Sequence, residues 1–257
     1  MLTLVLTATA AAAGPSGTGG EAPGDNTILP LTPEQKASLD YRQSLFGSST
    51  FMAPDASVSP QYACNFDPCE PASRSLTVYA RQQTKSYFCG PAVVQVVSNY
   101  SWGKTGSNDK YTQQHISDSW THTDANGQTY LGDEVSGMNA ASARPANFAY
   151  MQLHAPSYDG WHGTIIQDVY WWQMPLAAGV IPWKSDGAYH LVSWKKVSNG
   201  GHYIELHGYV GRVGDATRYV WFSDVAGTYA DSIAANYEQS SYAVYQTMMY
   251  NNKNMIW

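Results

Sequence analysis

The sequence predicts an α+β domain, with helices in the first part and strands in the second. Segments with helical apolar spacing lie between residues 89 and 180, and runs rich in β-branched and aromatic residues follow from residue 189. Helices and strands that are separated along the chain in this way are typical of the α+β class rather than of alternating folds. A chain of 257 residues is also long enough to bury a substantial core.

Composition narrows the classes of function. Charged residues make up 13% of the chain, against about 25% in a typical soluble domain, while Tyr (19) and Trp (9) are abundant. The formal net charge is −6, with only 14 Lys plus Arg. A nucleic-acid-binding protein needs a basic face to displace counterions from phosphates, so we do not expect nucleic acid as a partner.

The N-terminus has the pattern of an export signal. Residues 2–6 are mostly apolar, and alanines and Gly14-Pro15 follow them, although the usual positively charged start is missing. The apolar run is too short for a membrane-spanning helix, which needs about 20 residues. We therefore expect residues 1–25 to be a signal peptide and flexible leader. The protein would then be secreted, and we expect it to be exported by a bacterium. A disordered alanine-rich tail is the alternative.

An N-terminal extension with one helix is predicted at residues 26–60, ahead of a main domain at residues 61–257. Thr32 can cap this helix and Gln35 can reach back to it in a capping box, so the helix should run to about Leu45. The extension either packs on the main domain or is a removable pro-segment, and the sequence leaves both open.

Within the main domain, periodicity predicts an ordered set of elements. A short strand is predicted at 75–80. One helix begins at Gly90-Pro91, and three more helices cover 111–120, 131–142 and 164–180. Strands follow at 189–197, 201–210, 219–224 and 242–250. Gly214-Asp215 is placed as the turn of a hairpin between the second and third of these strands.

The three cysteines fall into two groups. Cys64 and Cys69, in CNFDPC, have a spacing that suggests a small disulfide loop in an exported protein, worth about 2 kcal/mol. Half a zinc site is the alternative, but a second ligand pair at the usual spacing is absent, so we expect no metal. Cys89 is left over, as an intermolecular link or a functional thiol.

Cys89 lies at a predicted junction between a loop and a helix. A thiol in that position feels the positive end of the helix dipole and free backbone N–H groups, which favour the nucleophilic thiolate. Gly90 allows a substrate backbone to approach closely, and Pro91 suits a first helical turn. A buried structural cysteine is the competing interpretation.

A histidine and an aspartate on the predicted hairpin could complete a catalytic site. His202 opens one strand and could take the thiol proton, and Asp224 ends the next and could orient the ring. His207 is a rival to His202, but it should face the other side of the strand unless a bulge intervenes. Asp224 could instead be an ordinary turn residue.

These residues resemble those of a known family. The stretch QxxxxxCGPA, ending at Ala92, resembles the nucleophile motif of the bacteriocin-processing, double-glycine-leader branch of papain-like cysteine peptidases. The later GGHYIELHGY and VWFSD resemble the strands that carry the histidine and the aspartate in that branch. The resemblance covers about residues 75–230. It departs from the branch in one place, because Val225 rather than proline follows Asp224.

The resemblance implies a papain-like fold, in which the nucleophile at a helix N-terminus packs on an antiparallel sheet that carries the histidine and aspartate. It also implies that Gln83, six residues before Cys89, binds the oxyanion together with the Cys89 N–H group. Gln82 is a neighbouring competitor for that role. No cofactor is implied, the partner would be a peptide or protein substrate, and the oligomeric state is left open.

Three functions fit this set of residues. The first is a secreted cysteine peptidase that hydrolyses peptide bonds with a Cys-His-Asp triad and a glutamine oxyanion hole. The second is a papain-like amidase or transpeptidase that acts on cell-wall peptides with the same triad. The third is a catalytically inactive peptide-binding module on the same scaffold, which would leave Cys89 an ordinary thiol.

Overall fold

The computed structural model describes residues 28–46, 70–123 and 127–257. Its elements are α1 (Pro33–Phe46), β1 (Ser73–Ser75), α2 (Cys89–Ser101), α3 (Gln113–Ile116), α4 (Leu131–Ala141), β2 (Gln152–His154), α5 (Tyr158–Gln167), β3 (Leu176–Val180), β4 (His202–Val210), β5 (Tyr219–Asp224), β6 (Ala235–Ser240), α6 (Ser241–Tyr250) and β7 (Asn254–Ile256). Short π-helical turns follow α3 and α5, and a 3-10 turn follows β5. The predicted signal region, Cys64 and Cys69 lie outside the described residues.

Seven strands of the described chain form one antiparallel sheet. The order is β2-β7-β3-β4-β5-β6, and β1 pairs with the end of β4 that β3 does not reach. Strands β4 and β5 form the predicted hairpin, whose turn contains Gly214 with a φ of 89°. A β-bulge interrupts β4 between Leu206 and Gly208. No helix in the described ranges is long and apolar enough to cross a membrane.

Helix α2 is the central helix of the domain. Every residue from Cys89 to Asn99 is buried, and the helix packs against β4 on one side and α4 on another. Strand β4 is buried along almost its whole length, which means that both of its faces are covered. The two elements that carry Cys89 and His202 therefore meet in the interior rather than on a surface.

The predicted α+β class is confirmed, because the helices accompany a single antiparallel sheet, most of whose strands lie in the second half of the chain. The predicted capping box of α1 is also present. The Thr32 N–H donates to Gln35 Oε1 at 2.9 Å, and the Gln35 N–H donates to Thr32 Oγ1 at 3.2 Å. Helices α2 and α4 and strands β4 and β5 agree with their predicted positions to about one residue.

Two predicted elements have the wrong type. Residues 176–180, predicted as the end of a helix, form β3, because Pro175 directly before them cannot continue a helix. Residues 242–250, predicted as a strand, form α6. Val244 and Met248, about one helical turn apart, are both fully buried, and this packing outweighs the strand propensity of the aromatic residues around them.

Two other predicted strands are shorter or absent. The strand expected at 75–80 is instead β1, which ends at Ser75. The segment 189–197 makes only an isolated bridge at His190. The Gln239 side chain binds the backbone of this segment. It accepts from the Val192 N–H at 2.8 Å and donates to the His190 carbonyl at 2.6 Å.

Arg42 joins α1 to the rest of the domain. Its Nη1 atom donates to Asp168 Oδ1 at 2.8 Å, and neither side chain is exposed. The guanidinium also lies over the rings of Phe148, Trp172 and Trp257, at 4.3–5.5 Å from the ring centroids. Burial raises the pKa of the Asp168 carboxyl, and the charge of Arg42 offsets part of this shift. Each charge is therefore buried at a cost that only its partner compensates.

His162 joins α5 to α6 and to the end of β4. Its Nδ1 lies 2.8 Å from Ser241 Oγ, and its Nε2 lies 2.9 Å from the carbonyl oxygen of Gly211. Since a carbonyl only accepts, Nε2 carries the proton and Nδ1 accepts from the hydroxyl. Burial lowers the pKa of His162 from 6.5 to about 4, because the interior penalises the charged ring.

Removing one partner of the Arg42–Asp168 pair should strongly destabilise the fold. We expect Arg42→Ala to lower the free energy of unfolding by about 3–5 kcal/mol, because Asp168 would stay buried without compensation. Urea denaturation followed by circular dichroism measures this. Lys36→Ala, which removes an exposed pair with Asp40, is the control and should change little. An Arg42→Ala protein as stable as the control would contradict the expectation.

Acid should destabilise the fold through His162. In the unfolded chain this histidine binds a proton near pH 6.5, whereas the native state does so only near pH 4. Protons therefore favour the unfolded state, and the free energy of unfolding should fall by up to about 3 kcal/mol as the pH drops through this range. In His162→Gln, which keeps an N–H for Gly211, the free energy of unfolding should fall less between pH 7.5 and pH 4.5 than in the wild type. Urea denaturation at the two pH values measures this difference. An equal fall in both proteins would show that His162 does not cause it.

Candidate active site

Cys89 is the first residue of α2, and its buried sulfur forms no disulfide within the described part of the chain. Phe88, the residue before it, lacks a side-chain cap and donates its N–H to the Lys85 carbonyl at 3.1 Å, in the turn that leads into the helix. The positive end of the α2 dipole therefore lies at Cys89.

Gly90 lets the first turn of α2 approach its neighbours closely. A Cβ atom at this position would lie 2.5 Å from Oγ1 of Thr129 and 2.7 Å from Oε2 of Glu134. Both neighbours are fully buried and have little room to move. Only glycine fits here, and this close contact holds the Cys89 end of the helix against the segment that precedes α4.

His202 and Asp224 come together because β4 and β5 are paired. The register places Asp224 opposite Ile204, on the face of the sheet that His202 shares. His202 Nε2 lies 3.0 Å from Asp224 Oδ1, and both side chains are buried. The Cys89 thiol lies close enough to the same imidazole to raise its pKa. Nε2 is bound to Asp224, and Nδ1 is buried without a hydrogen-bond partner within the described ranges, so Nδ1 is the nitrogen that can serve the thiol.

The Asp224 carboxylate accepts from four groups. Oδ1 also accepts from the Ala226 N–H at 2.8 Å, and Oδ2 accepts from the Ser193 hydroxyl and from the Trp194 indole N–H at 2.9 Å. The Trp194 ring packs edge-on against the imidazole, with 5.5 Å between ring centroids. Sequence reasoning missed Ser193 and Trp194, because they lie in an irregular segment with no motif and only the fold brings them to Asp224.

The electrostatics of this pair favour a charged ring beside a charged carboxylate. Burial alone would lower the pKa of His202, but the charge of Asp224, the hydrogen bond to it and the Cys89 thiol outweigh burial and raise the pKa. Burial alone would likewise raise the pKa of Asp224, but His202, Ser193 and the Ala226 N–H hold it below its usual value. The carboxylate is thus kept ionised in the interior.

Gln83 and its competitor Gln82 have different surroundings. Gln83 is buried, its N–H donates to the Val225 carbonyl at 2.8 Å, and its side-chain Nε2 donates to the Lys85 carbonyl at 2.9 Å. Gln82 is exposed and donates to Thr228 Oγ1 at 3.2 Å. Gln83 is therefore the buried glutamine of the two, and it lies between the residue after Asp224 and the turn that leads into α2.

The rival histidine, His207, lies elsewhere. Its Nδ1 is 2.9 Å from Glu205 Oε2, and both side chains are buried. Glu205 is on the face of β4 opposite to His202 and Ile204. A β-bulge does occur at His207, but the contact with Glu205 keeps this histidine on the side of the sheet away from His202. The structure therefore brings His202, and not His207, to Cys89. The sequence offered no sign that Glu205 would be buried.

The chemistry available to this cluster is that of an activated thiol. A buried imidazole that contacts a thiol and is oriented by a carboxylate can accept the thiol proton and release it again. Among the described residues, no three His, Cys, Asp or Glu side chains are grouped so that they could hold a metal ion.

Comparisons with known proteins add only weak likenesses. No protein-family profile and no curated protein matches the sequence. Among solved structures, procathepsin B S9 from Trypanosoma congolense has a TM-score of 0.49 and 10% identity, covering 93% of this chain and 85% of its own. Bromelain from Ananas comosus with the inhibitor E64 has a TM-score of 0.42 and 11% identity, covering 73% of this chain and 98% of its own. A recombinant stem bromelain precursor has a TM-score of 0.44 and 12% identity, covering 90% of this chain and 94% of its own.

Removing the charge of Asp224 should lower the pKa of His202. We expect Asp224→Asn to leave the ring mainly under the influence of burial, so that it loses its proton at a lower pH than in the wild type. The Cε1–H resonance of His202, followed by NMR from pH 5 to 11, measures the change, since the wild-type pKa is raised to about 10. Asp231→Asn, which removes an exposed partner of Lys196, should leave the titration unaltered. The same titration in Asp224→Asn and wild type would contradict the role of this carboxylate.

Proposed function

We propose that this chain is a secreted, papain-like cysteine peptidase that hydrolyses peptide bonds. The observation that supports the proposal most is the contact of the Cys89 thiol with an imidazole that is itself bonded to the buried Asp224 carboxylate. The same three residues lie in the segments that resemble papain-like peptidases. The signal-like residues 1–25 support the assignment to a secreted protein.

In the first half of the proposed reaction, His202 takes the proton of Cys89 through Nδ1. The thiolate sulfur attacks the carbonyl carbon of the scissile peptide bond and forms a tetrahedral intermediate. His202 then gives the proton to the leaving amine, and an acyl-thioester remains on Cys89. Asp224 holds the ring through Nε2 throughout, so that Nδ1 stays directed at the sulfur.

The negative oxygen of the intermediate needs donors that are in place before the reaction. The two donors we assign are the Cys89 N–H, at the N-terminal end of α2, and the second N–H of the Gln83 side-chain amide. The first N–H of that amide is already used by the Lys85 carbonyl. Losing one such donor typically slows turnover by about 10²–10³-fold.

In the second half, water attacks the thioester carbonyl, with His202 as its general base, and releases the acid. An amine that took the place of water would give transpeptidation or transamidation with the same residues. Product analysis by mass spectrometry, with and without added glycine amide, separates these reactions. Hydrolysed products alone support a peptidase, whereas coupling to the added amine would support the transferase alternative.

Cleavage should depend on Cys89 and His202. We expect the full chain, kept in mild reductant, to cleave a complex peptide library, Cys89→Ala to be inactive, and His202→Ala to be slower by roughly 10³-fold or more. Mass spectrometry of the cleaved peptides measures this. His154→Ala, on β2 at the far edge of the sheet, is the matched control and should cleave like the wild type.

Two results would contradict the peptidase proposal. Cleavage that persists in Cys89→Ala would assign the activity to another group. No cleavage by the wild type, together with an alkylation rate of Cys89 that His202→Ala does not alter, would favour a peptide-binding module without catalysis.

A further inference from the structure

Gln113, the first residue of α3, binds the backbone on both sides of Gln83. Its Oε1 accepts from the Thr84 N–H at 2.7 Å and from the Thr84 hydroxyl at 3.1 Å, and its Nε2 donates to the Gln82 carbonyl at 2.9 Å. A neighbouring β-strand would bind the backbone of an extended segment in the same way. The side chain is buried, so water does not compete for these bonds.

The same amide connects the segment to the nucleophile helix. Gln113 Nε2 donates its second proton to Gln95 Oε1 at 3.0 Å, and Gln95 lies on α2, whose first residue is Cys89. Gln95 in turn donates to the Tyr111 carbonyl at 2.7 Å. Every polar atom of the Gln113 amide is therefore used, and the bonds run without interruption from α2 to the backbone around Gln83.

The other side of this segment is bound to the sheet. The Gln83 N–H donates to the Val225 carbonyl, directly after Asp224, and Gln82 donates to Thr228. The segment is thus held between the end of β5 and Gln113. The bonds to Val225 and Thr228 set the position of the segment relative to His202 and Asp224. The bonds to Gln113 set its position relative to Cys89.

The side chain of Gln83 is itself weakly held. Its Nε2 has one hydrogen bond, to the Lys85 carbonyl, and its Oε1 is buried without a hydrogen-bond partner among the described residues. A side chain with so few bonds takes its position mainly from its backbone. The bonds of Gln113 to the residues on either side of Gln83 therefore decide where the Gln83 amide lies.

We propose that Gln113 is a positioning residue for the oxyanion site, which fixes the Gln83 amide relative to the Cys89 end of α2. The inference rests on the proposed peptidase function, because it assigns Gln83 to the oxyanion. It identifies a residue of α3, about 24 positions after Cys89, as part of what determines the rate of the chemical step. Gln113 acts only through Gln83 and touches no reacting atom.

Two thiol reagents separate this role from general damage to the site. With p-nitrophenyl acetate, the Cys89 thiolate adds to the acetyl carbonyl, a tetrahedral oxyanion forms, and p-nitrophenolate leaves. With iodoacetamide, the thiolate displaces iodide in one step and no oxyanion forms. Loss of the oxyanion site therefore slows acetylation but not alkylation, whereas damage to Cys89 or His202 slows both.

We expect Gln113→Ala to lower the rate constant of acetylation by about 10–100-fold, with the alkylation rate unchanged. Gln113→Glu keeps the acceptor for Thr84 but cannot donate to Gln82, so it should show the same pattern if Gln113→Ala folds poorly. In a Gln83→Ala background, neither substitution should cause a further loss, because the donor that Gln113 positions is already gone. Stopped-flow release of p-nitrophenolate and mass spectrometry of the alkylated protein give the two rates.

Asn139→Ala is the matched control, because Asn139 binds the backbone of Tyr150 through an N–H and a carbonyl in the same manner, away from Cys89. It should leave the ratio of the two rates at the wild-type value. Acetylation of the folded Gln113 variants at the wild-type rate, an equal fall in both rates, or losses that add to that of Gln83→Ala would each overturn the inference. If wild-type Cys89 is alkylated but not acetylated, the proposed function itself fails.

Discussion

The hydrogen bond between His202 and Asp224 is the interaction on which the rest of the site depends. A carboxylate in the interior is tolerated only when its charge and lone pairs are compensated, and Asp224 meets this condition with four donors from three separate segments. The end of β5, the start of β4 and the irregular segment that carries Ser193 and Trp194 must all reach their places for that compensation to exist. The same contacts that let the fold bury the carboxylate also give the imidazole a single orientation.

The thiol reaches this imidazole because α2 is buried along most of its length. A helix that is covered on every side cannot rotate or slide without opening voids, so its first residue is held as firmly as its middle. Gly90 adds to this constraint, since its missing side chain lets the helix end meet Thr129 and Glu134. Close packing of the helix therefore helps to fix where the nucleophile lies relative to the base.

Local signals in the sequence were sufficient for the features that depend on neighbouring residues. The capping box at Thr32 and Gln35, the Gly90-Pro91 helix start and the β4–β5 hairpin are of this kind. The types predicted for two segments were wrong. Pro175 ends the helix before residues 176–180, and burial of Val244 and Met248 in the core makes residues 242–250 a helix. Ser193, Trp194 and Gln113 could not be found from one sequence, since their partners lie 18–31 residues away and no motif marks them.

Cys89 and His202 are both fully buried. Any molecule that reacts with the sulfur must therefore reach it through an opening of the surrounding groups, and its apparent affinity is reduced by the fraction of the chain that is open. This protection has a chemical benefit in an oxidising environment, because oxidants and disulfides outside the protein meet the same barrier. Burial of the thiol thus separates two properties that an exposed cysteine combines, because its exposure to oxidants and its exposure to a reaction partner both become controlled by how the surrounding groups open.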